Sequence, residues 1–284
     1  MTPVLTYFWD GLQVTAKELF LLFGPGLVFG LTIHYLAEVI RHACLRLMGV
    51  NFFAWLTAPG TMVHELGHAF FCVLFGHGVR ELALFKPHEK ESLGHVTHTY
   101  NPRNPYHMIG HFFIGTGPIW FGAAVLYGLA VWLLGRGIPM PGVDAGFSMN
   151  DFPATLGQIG LAGGQAFLGL LDLALFRHWP VYVFLYLAFS IGAHMTLSLS
   201  DLGGAAKGFA YLAGVVLLVN WATAWAGVWS QSACIFLLRP LSAMYGVMAF
   251  AMILSALLAL VLSLLAAWVG RPKTGAAGAR GDTF

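Results

Sequence analysis

The stretch that decides the reading of this chain is GTMVHELGHAFF, Gly60–Phe71, set inside the otherwise apolar run FFAWLTAPGTMVHELGHAFFCVLFG, residues 52–76. The run is long enough to cross a bilayer. An ionisable residue at the centre of such a helix costs at least about 2.5 kcal/mol, and three stand here together. On a helix, positions i and i+4 share one face, so His64 and His68 can both present a ring nitrogen to one metal ion. Glu65 follows the first histidine, where it can take a proton from an attacking water. A buried polar network that merely joins helices would not need these residue types in this order.

Composition places the motif in a membrane. The chain has 284 residues, 58% of them hydrophobic and 9% charged, against about 25% charged in an ordinary soluble domain. Apolar windows predict spans at 19–40, 52–75, 106–134, 180–200, 205–229 and 241–269. The expected fold is therefore an all-α polytopic membrane protein with about six transmembrane helices. Residues 1–270 read as one integral-membrane domain and 271–284 as a disordered, Gly-rich tail. The N-terminus lacks the basic start and cleavage site of a signal peptide, so the first apolar segment is expected to be retained.

Between the second and third spans, VRELALF (79–85) and GHVTHTY (94–100) flank a polar stretch with a proline. They predict a short membrane-associated β-hairpin. Gln158, Gln165 and Asp172 recur every seven residues and predict an interfacial amphipathic helix over 155–176, with a seventh span as the alternative. Lys and Arg side chains favour both termini in the cytoplasm, nine against five in the six-span arrangement. The expected location is a bacterial or archaeal cytoplasmic membrane. The net charge of +2, with no basic stripe, gives no sign of a nucleic-acid partner. Cys44, Cys72 and Cys234 form no CxxC pair and read as packing residues.

Two imidazoles at this spacing suit zinc, which typically takes three protein ligands at a catalytic site and acidifies a water held in the open position. One zinc per chain is expected from this motif. Gly67, between the two histidines, leaves room for another element to approach, and the APGT just upstream can bend or start the helix. MVHELGHAFFCVLFG (62–76) resembles the site-two protease family of intramembrane zinc metalloproteases. The resemblance covers roughly residues 50–210 and rests on short motifs. It implies hydrolysis of a peptide bond within or near the bilayer, a polypeptide substrate embedded in or close to the membrane, Glu65 as general base, His64 and His68 as ligands, and a hairpin after the motif. It also implies an aspartate ligand from a later core helix, matched by Asp201 in AHMTLSLSDLGGAAKG (193–208). The family's Leu-Asp-Gly reads Ser200-Asp201-Leu202-Gly203 here. Its Gly-Pro-x-x-Asn corresponds to Gly117-Pro118, with Phe121 in place of the asparagine.

His194, seven residues before Asp201, remains the rival third ligand and matches the depth of His64 better along straight helices. In that alternative Asp201 would be its partner. Glu89 and Glu91 are further rivals in a charged loop. His107 and His111, at i and i+4, are expected to support the ligands from behind or to stand at the cytoplasmic edge, with a second metal as the alternative. His95 and His98 are expected on one side of the second strand, which reads as a surface strand, with contact to substrate in the cleft as the alternative. His34 and Glu38 read as a polar contact between core helices. Two other classes of function stay open: a metal-binding membrane scaffold or transporter, and a zinc hydrolase of a lipid or non-peptide amide. Glu65 argues against the carrier, which needs ligands but no base beside them.

Overall fold

A computed structural model of the chain describes residues 3–87, 93–135, 175–197, 199–225 and 231–269, with scattered positions between 154 and 169. The interfacial helix expected over 155–176, the tail from 271, and Glu89 and Glu91 fall wholly or largely outside the described residues. The helices are α1 (Pro3–Met48), α2 (Val50–Leu56), α3 (Ala58–Leu74), α4 (Pro105–Leu134), α5 (Pro180–Gly192), α6 (Leu199–Trp225) and α7 (Gln231–Val269). Strands β1 (Gly78–Ala83) and β2 (His95–Thr99) pair antiparallel, with a bulge between Val79 and Glu81. The hairpin expected after the motif helix is therefore present.

Four described helices are long and apolar enough to cross a membrane: α1, α4, and the segments Asp201–Ala224 and Met244–Val269 of α6 and α7. The expectation of about six is not supported, because two of the expected spans are interrupted. The span over 52–75 breaks at Thr57, leaving α3 with 17 residues. Pro59 fits the break, since it lacks the N–H that would continue the preceding helix and suits the first turn of a new one. The span over 180–200 stops at Gly192 after 13 residues, and the chain runs through 193–197 outside any helix. Asp201 thus lies in the first turn of α6, not at the end of the preceding helix.

The core forms where α1, α4, α5 and α7 meet around Ile33, Trp120, Phe184, Met195, Tyr245 and Phe250, all buried. Tyr245 donates its hydroxyl to the Leu22 carbonyl, tying α7 to α1. One to two turns earlier on α1, Asn220 of α6 donates to Glu18 at 2.7 Å and to Thr15 at 2.9 Å, a buried polar join. Glu38 pairs with Arg41 on its own helix rather than with His34, correcting the inter-helix contact expected there.

Small residues set the helix spacing around the motif. A Cβ on Gly67 would stand 3.0 Å from Pro118 Cα, and one on Gly117 would stand 2.9 Å from the Gly67 carbonyl oxygen. The element that approaches between the two histidines is therefore the Gly117-Pro118 turn of α4. Gly60 lies as tightly on α5: its N–H donates to Ser190 Oγ at 2.8 Å, and a Cβ there would collide with the Ser190 carbonyl. By contrast, no described residue comes within 4 Å of a Cβ on Gly128 of α4. The same substitution should act with opposite signs at these two sites. Gly60→Ala is expected to destabilise by about 1–3 kcal/mol through overpacking. Gly128→Ala should be neutral or stabilise by up to about 1 kcal/mol through helix propensity. Thermal unfolding of both variants in one detergent checks this; equal shifts would refute the packing account.

Candidate metal centre

His64 and His68 lie one turn apart on α3, and their Nε2 atoms approach to 3.2 Å. Asp201 reaches them from α6, with Oδ1 at 3.8 Å from His68 Nε2. One ligand-type atom from each of His64, His68 and Asp201 lies within 4.8 Å of the others, and among the described residues this is the one such group. Ligand bonds of about 2.0–2.1 Å in a tetrahedral shell put two nitrogens roughly 3.3 Å apart, so the histidine spacing fits a single ion.

The rings are fixed from behind. His64 Nδ1 donates to the His194 carbonyl at 2.7 Å, and His68 Nδ1 donates to the Ile114 carbonyl at 2.8 Å. With both Nδ1 atoms protonated, both Nε2 atoms carry lone pairs that face each other. That arrangement is repulsive without a cation between them. A carbonyl behind each ring is also what a metal-ligating histidine usually has.

His194 is otherwise engaged. Its Nδ1 donates to the Ser190 carbonyl at 3.1 Å, and its Nε2 accepts from the Thr61 hydroxyl at 3.1 Å. What His194 contributes is its backbone oxygen, which orients His64. Sequence reasoning could not find that role, nor the one played by the Ile114 carbonyl, because neither is carried by a side chain.

The depth mismatch that favoured His194 also has an origin. Leu56 meets Tyr186, Gly60 meets Ser190 and His64 meets His194, each pair 130 residues apart, so the chain through the end of α2 and α3 runs parallel to α5 and the residues just past it in constant register. The non-helical link then breaks the register, and Asp201 arrives beside His68, 133 residues away. Gly115 of α4 seats this turn: a Cβ there would stand 2.5 Å from the Asp201 carbonyl oxygen and 3.0 Å from Ala205 Cβ.

Glu65 is buried at 7% exposure. Gly94, immediately before β2, closes over it; a Cβ on Gly94 would come within 2.7 Å of Glu65 Cγ. The hairpin thus lies directly against the motif glutamate. Gly117 and Pro118, the pair matched to the family's Gly-Pro, pack against Gly67. Phe121 meets Phe70 at 5.5 Å between ring centres. Cys72 is fully buried and stands outside the cluster.

His95 and His98 do not share a side. Residues three apart on a strand point to opposite faces, and the structure obeys this: His95 pairs with Glu81 at 3.1 Å, whereas His98 meets His77 at 3.0 Å. Compared with known proteins, the chain matches no family model, no curated protein and no solved structure.

Proposed function

We propose that this protein is a zinc-dependent intramembrane endopeptidase of the site-two protease type. One observation carries the reading: the two facing Nε2 atoms, each ring braced by a carbonyl, with the Asp201 carboxylate beside them and the buried Glu65 next in sequence to His64. His64, His68 and Asp201 would hold the zinc. When bound, that ion acidifies water to a pKa near 7 and polarises a carbonyl. Glu65 takes the proton of the attacking water and delivers it to the departing amine nitrogen.

Two features support a polypeptide substrate drawn from the membrane. An apolar cavity of about 700 Å³ lies between α1, α4 and α6, walled in part by Leu202, the neighbour of Asp201. The β1–β2 ribbon next to Glu65 offers strand edges to which an extended, unwound segment can add by main-chain hydrogen bonding. Helical peptide bonds are shielded, so such unwinding is needed before water can reach the carbonyl. The Lys and Arg distribution favours a cytoplasmic position for both termini.

The test is a panel of single-span polypeptides reconstituted with the purified protein in liposomes. Cleavage is expected, with complete loss on chelation and recovery on adding zinc. Cleavage that persists in metal-free protein would overturn the reading.

A further inference from the structure

A second group of imidazoles lies outside the motif. His77 follows α3, His98 is on β2, and His107 and His111 are on α4. The ring centres of His77 and His98 are 5.0 Å apart, those of His77 and His111 5.2 Å, and those of His98 and His111 5.9 Å. The His64–His68 pair of the first site gives a yardstick of 4.9 Å.

Two of the three rings already face each other through nitrogens. His77 Nε2 donates to the His107 carbonyl at 2.9 Å, which leaves a lone pair on Nδ1, and that atom faces His98 Nδ1 at 3.0 Å. His111 Nε2 is buried with no hydrogen-bond partner among the described residues, and its ring meets that of Tyr100 edge-on at 4.1 Å between centres. The His107 ring is also 5.2 Å from that of His77, but its Nδ1 is engaged, accepting the Asn101 N–H at 3.0 Å. A plain hydrogen bond between His77 and His98 accounts for the first contact and leaves the His111 nitrogen orphaned, which buried polar atoms rarely are. A cation shared by all three accounts for both.

The geometry points to a second metal site, made by His77, His98 and His111, that takes a divalent transition metal. Imidazole-only ligation suits zinc, copper or nickel. The His107 carbonyl behind His77 is the brace such a ligand needs. Closure requires His111 to turn, because only the first trio already lies within one coordination shell. Among the described residues its Nε2 has no hydrogen bond to lose in doing so; the turn gives up only the edge-on packing against Tyr100. Once bound, the metal ties β2 to the end of α3 and the start of α4, and so clasps the hairpin over Glu65.

The experiment is zinc titration of the full chain in detergent, with elemental analysis after desalting, on four proteins. Wild type is expected to hold two equivalents. His98→Gln/His111→Gln should hold one, His64→Ala/His68→Ala should hold one, and the fourfold variant none. The His64→Ala/His68→Ala protein leaves the hairpin ligands native, so its result does not depend on how the other double variant folds. Retention of one equivalent there supports the clasp. Loss of all zinc there, or an unchanged stoichiometry in His98→Gln/His111→Gln, overturns it. Should wild type hold a single equivalent that vanishes only with His98→Gln/His111→Gln, the clasp stands and the protease reading fails.

Discussion

Glu65→Gln is expected to keep zinc in the first site, keep the fold, and lower peptide hydrolysis by about 10²–10⁴-fold, the usual contribution of a positioned general base. The amide is nearly isosteric with the carboxylate. That matters because Gly94 leaves no spare room over the Glu65 side chain. The amide cannot accept the water's proton, so the change removes the base and little else. His64, His68 and Asp201 keep their atoms, and the bracing carbonyls of His194 and Ile114 belong to the backbone. Zinc content, unfolding temperature and the rate on a verified substrate should be measured on one preparation. A variant that cleaves at the parent rate would show that Glu65 is not the base. The same protein separates an enzyme from a metal carrier, because transport would tolerate the amide and hydrolysis would not.

The motif was legible because its evidence is local. Two histidines four apart and a glutamate between them need only a helix to share a face, and an apolar run guarantees the helix. The hairpin was legible for a similar reason: two short β-prone runs flank a polar turn region. What was not legible depends on where helices stop. Pro59 marks the break at Thr57, yet the apolar composition continues across it and reads as one span. The stop at Gly192 is harder to see, because residues 193–197 (Ala-His-Met-Thr-Leu) contain neither Gly nor Pro. Met195 and Leu197 bury themselves in the core there, so tertiary packing outweighs helix propensity. The partners of the site are non-local as well. Pairing across about 130 residues leaves no trace in periodicity. The side taken by His98 was legible in principle, since strand parity alone separates it from His95.

The contest for the third ligand turns on that unhelical link, and it yields the second large effect. Asp201→Ala is expected to weaken zinc binding at the first site by more than about 100-fold, beyond the 10–100-fold that loss of an outer partner costs. His194→Ala should weaken it by less than about tenfold. Both ring nitrogens of His194 are committed to Ser190 and Thr61, and the atom it offers the site, its backbone oxygen, survives the substitution. The alanine variant does lose two hydrogen bonds at the join of α3 and α5, so a lower unfolding temperature is expected with zinc retained. Asp201→Ala should show the reverse. The carboxylate makes the contact to His68, while Gly115 packs against the Asp201 carbonyl and Ala205, which the substitution leaves in place. Fold is then kept as metal is lost. Both variants should be compared in a His98→Gln/His111→Gln background, where any zinc held by the hairpin histidines no longer contributes to the count. If zinc departs with His194→Ala and stays with Asp201→Ala, the link must rearrange on binding so that the His194 ring replaces the carboxylate, and the assignment reverses.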